Sequence, residues 1–213
     1  MHVEAIVNAL SNQGYAVIED FLSAEIIQQL QFTLQQNLAK NTLKPANIGR
    51  LNGFKMPKTN VAHFRGDSTI WLEETDTNTA IQAYFSAMQT LKTALNQQLF
   101  LGVDALEAHF AHYPIGGFYK KHLDQFQQTD ATQTKRIISS VLYLNQNWGA
   151  EDGGELRLYL SQDEAVNKDT TLDFLPFENR LVLFLSDQFW HEVRPATRAR
   201  NSIAGWFKTR ANI

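Results

Sequence analysis

Apolar positions in the first hundred residues recur every three or four places, whereas beyond Gly102 they alternate or gather in short runs. Over residues 3–10 this spacing predicts an amphipathic helix, stopped by Ser11-Asn12-Gln13-Gly14, and residues 15–18 (Tyr-Ala-Val-Ile) read as a short strand. Ser23 is a natural N-cap for a second helix whose stripe is Ile27, Leu30, Leu34 and Leu38, ending before Lys40-Asn41 and Pro45. Residues 45–60, with Asn-Gly at 52–53 and Pro57, read as loop. Residues 61–64 and 70–72 read as extended pieces around a turn, Arg65-Gly66-Asp67. A third helix is predicted over residues 79–100, where Ile81, Phe85, Met88, Leu91, Leu95 and Leu99 repeat at helical spacing and Gly102 supplies the stop.

From there the rhythm is that of strands. Residues 107–113, 136–144, 155–159, 171–175, 181–185, 191–194 and 200–208 are short apolar or alternating runs separated by Gly, Asn, Asp and Pro. β-α-β units would need helices between them, so the pattern indicates an antiparallel sandwich or barrel. The expected fold class is α+β, mainly β, in one domain over residues 1–213: a helical lead-in over 1–102 and a β core over 103–210. The apolar stripes of the helices need a surface to cover, and the outer face of a sheet provides one.

A chain of 213 residues with 44% hydrophobic and 19% charged residues can bury a full globular core, and 14 Phe with 4 Trp point to a core or cavity rich in rings. A net charge of -3 without Lys/Arg clustering gives no support to nucleic acid as a partner. The absence of cysteine excludes disulfides, thiolate catalysis and zinc-thiolate sites, so any metal must sit on nitrogen and oxygen ligands. The amino terminus has no basic stretch followed by an apolar run, and no apolar run is long enough to span a bilayer. Neither a signal peptide nor a membrane anchor is expected, and the cytoplasm is the default location.

The candidate chemistry begins at His122-Leu123-Asp124, where strand periodicity puts an imidazole and a carboxylate on one face. Such a pair is common by chance and, taken alone, reads equally as a solvated strand end. Iron(II) in oxygenases is held by two histidines and one carboxylate with positions left open, and His191, in D-Q-F-W-H-E-V, supplies the missing histidine. In R-N-S-I-A-G-W-F, Arg200, Ser202, Ala204 and Trp206 share a face. A turn through Pro195-Ala196-Thr197 would lay this strand antiparallel to the one beginning at His191 and aim the Arg200 guanidinium beside the metal, where its fork suits a carboxylate. Tyr143 could add a hydroxyl to the same anion, and the set matches a small dicarboxylic 2-oxo acid. Taken singly, His191 is equally a hydrogen-bonded core histidine and Arg200 a surface charge. His2, His63, His109 and His112 look different; the last two join no carboxylate at ligand spacing and are expected to be structural or supporting.

Y-P-I-G-G-F-Y-K-K-H-L-D, R-I-I-S-S-V-L-Y-L-N-Q-N-W, G-G-E-L-R-L-Y, L-V-L-F-L-S-D-Q-F-W-H-E-V-R-P-A and R-N-S-I-A-G-W-F, with F-R-G-D-S-T-I-W-L-E-E upstream, resemble the iron(II)- and 2-oxoglutarate-dependent oxygenases. Within them the likeness is to the prolyl 4-hydroxylase branch, which includes the hypoxia-inducible-factor prolyl hydroxylases and bacterial relatives acting on elongation factor Tu. It covers most of residues 60–208; the first sixty residues are similar more loosely. The resemblance implies a double-stranded β-helix (jelly roll) with the amino-terminal helices packed on one sheet. It makes His122, Asp124 and His191 the iron ligands and Arg200 the partner of the distal carboxylate of 2-oxoglutarate. Tyr143 would share that carboxylate, and Tyr113 and Ser202 would stand beside the cosubstrate. Arg136 and Trp206 would line the substrate side, and Arg65 and Asp67 would belong to a segment that covers it.

Dioxygen as second cosubstrate, ascorbate as reductant, and release of succinate and CO2 come with the same resemblance. So does hydroxylation at the 4-position of a prolyl residue in a protein or peptide, with elongation factor Tu among the implied partners. Because Asp124 fills the carboxylate position, hydroxylation is expected over halogenation. Animal oxygen-sensing members place a long loop after this carboxylate; residues 125–135 are short and polar, which leaves a folded protein loop as open as an unstructured peptide. The same oxidant acting on another side chain, a small molecule or an alkylated nucleobase remains an alternative, as does a non-catalytic module that binds a metal or an anion. Gly116-Gly117 reads as a turn or a close backbone approach, and Gly153-Gly154 as a turn into the next strand.

Overall fold

A computed structural model describes residues 3–46, 50–51, 54–55, 64–125, 134–160 and 170–210. Its helices are α1 (Val3–Gln13), α2 (Ala24–Ala39) and α3 (Thr79–Leu99). The early strands are β1 (Tyr15–Ile18), β2 (Lys44–Pro45), β3 (Arg50–Leu51), β4 (Phe54–Lys55) and β5 (Ser68–Leu72). They are followed by β6 (Val103–Tyr113), β7 (Tyr119–His122), β8 (Arg136–Tyr143) and β9 (Leu156–Tyr159). Last come β10 (Thr171–Phe174), β11 (Leu181–Leu185), β12 (Trp190–Val193) and β13 (Arg200–Thr209). Seven strands form a major sheet in the order β1-β11-β8-β13-β6-β5-β2, four form a minor sheet in the order β10-β9-β12-β7, and β3 pairs with β4 alone. The pairings between these strands are antiparallel.

Local chemistry starts the helices where the sequence places them. The Ser23 hydroxyl accepts the Ile26 N–H, and the Asn78 side chain accepts from Ala80 and Ile81, so orphan donors at both helix starts are satisfied. The buried faces of the three helices, including Leu10, Leu30 and Leu95, meet Phe110, Leu142, Leu183, Ile203 and Phe207 on one face of the major sheet. The other face meets the minor sheet, where Tyr143, Val182 and Phe184 pack with Leu156 and Leu158. This is the double-stranded β-helix architecture, with helices backing the larger sheet. Alternation along β13 decides what each side chain does: Ile203 and Phe207 point to the helices, while Arg200, Ser202, Ala204 and Trp206 line the space between the sheets. Phe207→Ala should therefore cost about 3–5 kcal/mol of stability. Phe32→Ala, at a side chain 64% exposed, should stay within about 0.5 kcal/mol; urea unfolding of the two variants checks the contrast.

Several expectations are corrected. Helix α1 continues to Gln13 and ends at Gly14, which has φ 78. Helix α3 ends one residue early, with Phe100 itself in the left-handed conformation at φ 53. There the Asn96 side chain bonds both the N–H and the C=O of Val103, clamping a turn that includes Phe100 and Gly102, the latter with φ 63. Part of the 45–60 stretch forms short strand pairs, and β6 begins at Val103, not at residue 107.

The larger correction concerns residues 194–199. They form no hairpin between β12 and β13: β12 pairs with β7 and β9 in the minor sheet, and β13 with β6 and β8 in the major one. The crossing stretch is held by Gly153 and Gly154. Arg194 N–H donates to Glu155 C=O at 2.9 Å, Gly154 N–H donates to Pro195 C=O at 3.0 Å, and Gly153 bridges Ala196. Both glycines have positive φ, 67 and 72, and a Cβ on either would come within 2.9 Å of Pro195 or Ala196, so only glycine allows the approach. Asn52-Gly53, Pro57, His2, residues 61–63 of the expected extended piece including His63, and residues 126–133 of the polar loop lie outside the described residues. Among the described residues no helix is long and apolar enough to cross a membrane.

Candidate metal centre and cosubstrate pocket

A cavity of about 610 Å³ opens between the two sheets. At one end His122, the last residue of β7, stands directly across from His191 on β12. Asp124 is not on the strand, as the H-x-D alternation predicted, but in the bend after it. What orients it comes from the opposite sheet: the Ser139 hydroxyl donates to Asp124 Oδ2 at 2.7 Å, and Ser139 also meets the Ser186 hydroxyl at 2.9 Å. His122 Nε2 lies 3.6 Å from Asp124 Oδ1, and His191 Nε2 lies 3.4 Å from Oδ2. One ligand atom from each residue falls within 4.8 Å of the others.

The tautomers follow from the backbone. His122 Nδ1 sits 2.7 Å from the Lys120 carbonyl and His191 Nδ1 sits 3.0 Å from the Phe189 carbonyl. A carbonyl can only accept, so each ring carries a proton on Nδ1 and turns Nε2 toward Asp124. Burial, and then the neighbouring His191, push the His122 imidazole down to about 4, so it is neutral near neutral pH. Burial alone would raise the Asp124 carboxyl, but the His191 and His122 rings hold it well below the usual carboxylate range. Two imidazole nitrogens and one carboxylate make a donor set that fits a divalent cation. Among the described residues the group offers three protein ligands, not four, which leaves positions open as in non-haem iron(II) oxygenases and unlike closed structural zinc sites.

Arg200 lies at the other end, 2% exposed, between Tyr113 on β6 and Tyr143 on β8. Its guanidinium carbon is 5.1 Å and 5.0 Å from the two ring centres. Nη2 donates to the Tyr143 hydroxyl at a long 3.4 Å, and Nε has no partner among the described residues. Among the described residues no carboxylate pairs with this guanidinium. A buried cation left in this way is costly unless an anion joins it, so the pocket fits a carboxylate. Burial raises the Tyr143 hydroxyl, with Arg200 partly opposing, so it remains a protonated donor. Ser202, 1% exposed, lines the same wall.

Toward the cavity mouth the Arg136 guanidinium lies 3.7 Å over the Trp206 ring and bonds Glu107 Oε1 at 2.9 and 2.7 Å. Lys208 Nζ takes the other Glu107 oxygen at 2.7 Å. Burial opposes charge on Glu107, but Lys208 and Arg136 lower its carboxyl below the ordinary value. Arg65 holds Asp67 through two bonds of 2.7 and 2.6 Å; Arg65 lines the cavity, and Asp67 lies buried behind it. The expected turn at residues 65–67 is not formed: Arg65 makes an isolated bridge to Tyr119, and Gly66 and Asp67 belong to no regular element. Of the two histidines expected to be structural, His112 bonds Asn201 at 2.8 Å outside the cavity lining. His109 joins the cavity wall, its ring 4.9 Å from that of Trp71 and 5.5 Å from that of Trp206, and burial pushes it down to about 4.

Sequence reasoning did not single out Ser139 or Tyr119. For Ser139 a signal existed: a serine inside the apolar strand run R-I-I-S-S-V-L-Y calls for a polar partner when buried.

Two packed antiparallel sheets, an open His/Asp/His group at one end of their cavity and a buried, carboxylate-free arginine at the other define a non-haem iron oxygenase that takes a 2-oxo acid. The comparisons agree. The family described as the 2OG-Fe(II) oxygenase superfamily matches residues 108–208. The crystal structure of a Pseudomonas putida prolyl-4-hydroxylase is similar at 36% identity and TM-score 0.82, covering 98% of this chain and 100% of that one. Egl nine homolog 1 of Homo sapiens is 28% identical over 211 residues, covering 96% of this chain, which spans only 46% of that protein's length. A prolyl hydroxylase from Trichoplax adhaerens, in complex with a hypoxia inducible factor oxygen degradation domain peptide fragment, shares the fold at 24% identity and TM-score 0.78, over 96% of this chain and 88% of that one. The chain belongs to the 2OG-Fe(II) oxygenase superfamily and, within it, to the prolyl-hydroxylase type. Its dependence on iron(II), 2-oxoglutarate and dioxygen accords with the metal group.

Proposed function

We propose that this protein hydroxylates a prolyl residue at its 4-position in a protein or peptide, consuming 2-oxoglutarate and dioxygen and releasing succinate and CO2. The observation that carries this reading is the single cavity joining an open-sided His122/Asp124/His191 group to the buried Arg200. In it the three residues hold iron(II), which with 2-oxoglutarate and dioxygen supplies the oxidising power. The chain's own part is binding and orientation. Arg200 and the Tyr143 hydroxyl take the distal carboxylate, with Tyr113 and Ser202 forming the wall beside it. Leu156, Phe184 and Val193 keep the cavity apolar around the metal group and exclude water. Arg136 stacked on Trp206, with Arg65 backed by Asp67, forms the substrate side.

A peptide as substrate is supported by the peptide complex of the Trichoplax relative and by the likeness to the Pseudomonas prolyl-4-hydroxylase. Elongation factor Tu is the protein we propose to test first, with ascorbate as reductant and the cytoplasm as the setting. The test supplies purified protein with iron(II), ascorbate, 2-oxoglutarate and elongation factor Tu or its proline-containing peptides. Succinate release together with a +16 Da shift on a prolyl residue is expected; succinate release driven only by small molecules, with every proline unmodified, would overturn the reading. Arg136→Ala should raise KM for the protein substrate by about tenfold, since it removes a cation stacked on the mouth tryptophan, while KM for 2-oxoglutarate moves less; steady-state kinetics with each substrate varied in turn separates the two.

A further inference from the structure

Strand β7, which ends in His122, is an edge of the minor sheet, paired with β12 on one side. Its other side is covered by residues 64–66. Gly66 N–H donates to the Phe118 carbonyl and Lys120 N–H to the Phe64 carbonyl, each at 2.8 Å, with Arg65 opposite Tyr119. Lys120 is thus held from both ends, because its own carbonyl fixes the His122 tautomer at 2.7 Å. Beside it the Tyr119 ring lies on the His122 ring, centroids 3.6 Å apart and planes within 18°. The Arg65 guanidinium lies over the same tyrosine at 4.3 Å, and the Phe64 ring meets its edge at 5.8 Å. Arg65 is in turn gripped by Asp67, whose carbonyl receives the Ala46 N–H at 2.9 Å.

We propose that Tyr119 is a positioning residue for the metal: stacked between the segment at residues 64–67 and His122, it fixes the plane of that ligand and couples metal binding to the docking of the segment on β7. The inference rests on the reading of His122 as a metal ligand. A hydrogen bond on Nδ1 sets which nitrogen carries the proton but leaves the imidazole free to tilt about that bond. A ring held face to face removes the tilt, so Nε2 keeps its aim. Ligand-orienting partners of this kind change metal affinity by about 10–100-fold when removed. Coupling is reciprocal: if the docked segment strengthens the metal site, bound metal must strengthen the docking.

Titration of the full-length chain with Mn(II) tests this without turnover. Tyr119→Leu should bind Mn(II) about tenfold more weakly than wild type, whereas Tyr119→Phe, which keeps the ring, should bind about as tightly. Hydrogen exchange on the wild-type protein should show the Gly66 and Lys120 amides gaining protection when Mn(II) is added, with helix α2 unchanged; this arm stands even if Tyr119→Leu fails to fold. Equal affinities for Tyr119→Leu and wild type, equal losses in both variants, or exchange at Gly66 and Lys120 indifferent to the metal would each overturn the inference while leaving the metal site itself intact. A wild-type protein that binds no Mn(II) would remove the reading of His122 as a ligand, and this inference with it.

Discussion

Asp124→Ala is expected to fold, to bind Mn(II) at least about 100-fold more weakly than wild type, and to release no succinate above background. Losing an outer partner of a ligand costs about 10–100-fold in affinity; losing the ligand costs more. Asp124 is the anion of the group, 3.6 and 3.4 Å from two imidazole nitrogens, and among the described residues the metal group contains no second carboxylate. The fold should survive because the substitution removes only polar interactions at the cavity wall: the Ser139 hydroxyl keeps Ser186 as a partner, and Asp124 lies in a bend outside the strand ladders. Thermal unfolding separates loss of metal from loss of fold. Wild type at 100 times its Mn(II) dissociation constant gains about 2.7 kcal/mol, and Asp124→Ala at the same concentration should gain about 0.4 kcal/mol or less. Retained succinate release in this variant would show that another group holds the metal.

The contrast between His122 and Asp124 shows how far the sequence could be read. Both histidines were legible because each sits on a strand whose pattern is local, and their register brings them opposite one another. The carboxylate was legible as a residue but not as a geometry, since the hydroxyl that aims it comes from β8 on the other sheet. The same division runs through the fold. Helical stripes such as Ile27, Leu30 and Leu34 are buried as their spacing requires. The crossing from β12 to β13 was misread because Pro195-Ala196-Thr197 has the composition of a hairpin turn, and what decides otherwise is a pairing with Gly153-Gly154, far away in the chain. Tyr119 gave no warning at all. Its importance lies in a stack with His122 and a cation from a distant segment, and an aromatic in a strand is ordinary by itself. For Arg200, strand alternation correctly selected the face shared with Ser202, Ala204 and Trp206, although the strand it was expected to pair with was the wrong one.

Arg200→Met should act in opposite directions on stability and on cosubstrate use. Without an anion beside it, the guanidinium is a buried cation with one weak bond to Tyr143 and an unpartnered Nε. Methionine fills similar space between Tyr113 and Tyr143 and removes the charge, so the protein free of metal and cosubstrate should gain about 1–4 kcal/mol, the range seen when buried ion pairs are replaced by apolar groups to stabilising effect. In the presence of 2-oxoglutarate the order should reverse. With the distal carboxylate in the pocket, as proposed, removing its buried partner should cost about 2–5 kcal/mol, which is roughly 30-fold to several-thousand-fold in KM. Arg200→Lys keeps the charge but not the two-pronged geometry and should fall between. Chemical denaturation with and without 2-oxoglutarate, set beside KM for the cosubstrate, reads both halves. If Arg200→Met destabilises the free protein and leaves KM unchanged, the arginine is a packing element of β13 and the distal carboxylate binds elsewhere. If the two effects carry opposite signs, the cost of burying Arg200 is compensated when the cosubstrate binds, which accounts for a cation so deep in the sandwich with no acid paired to it among the described residues.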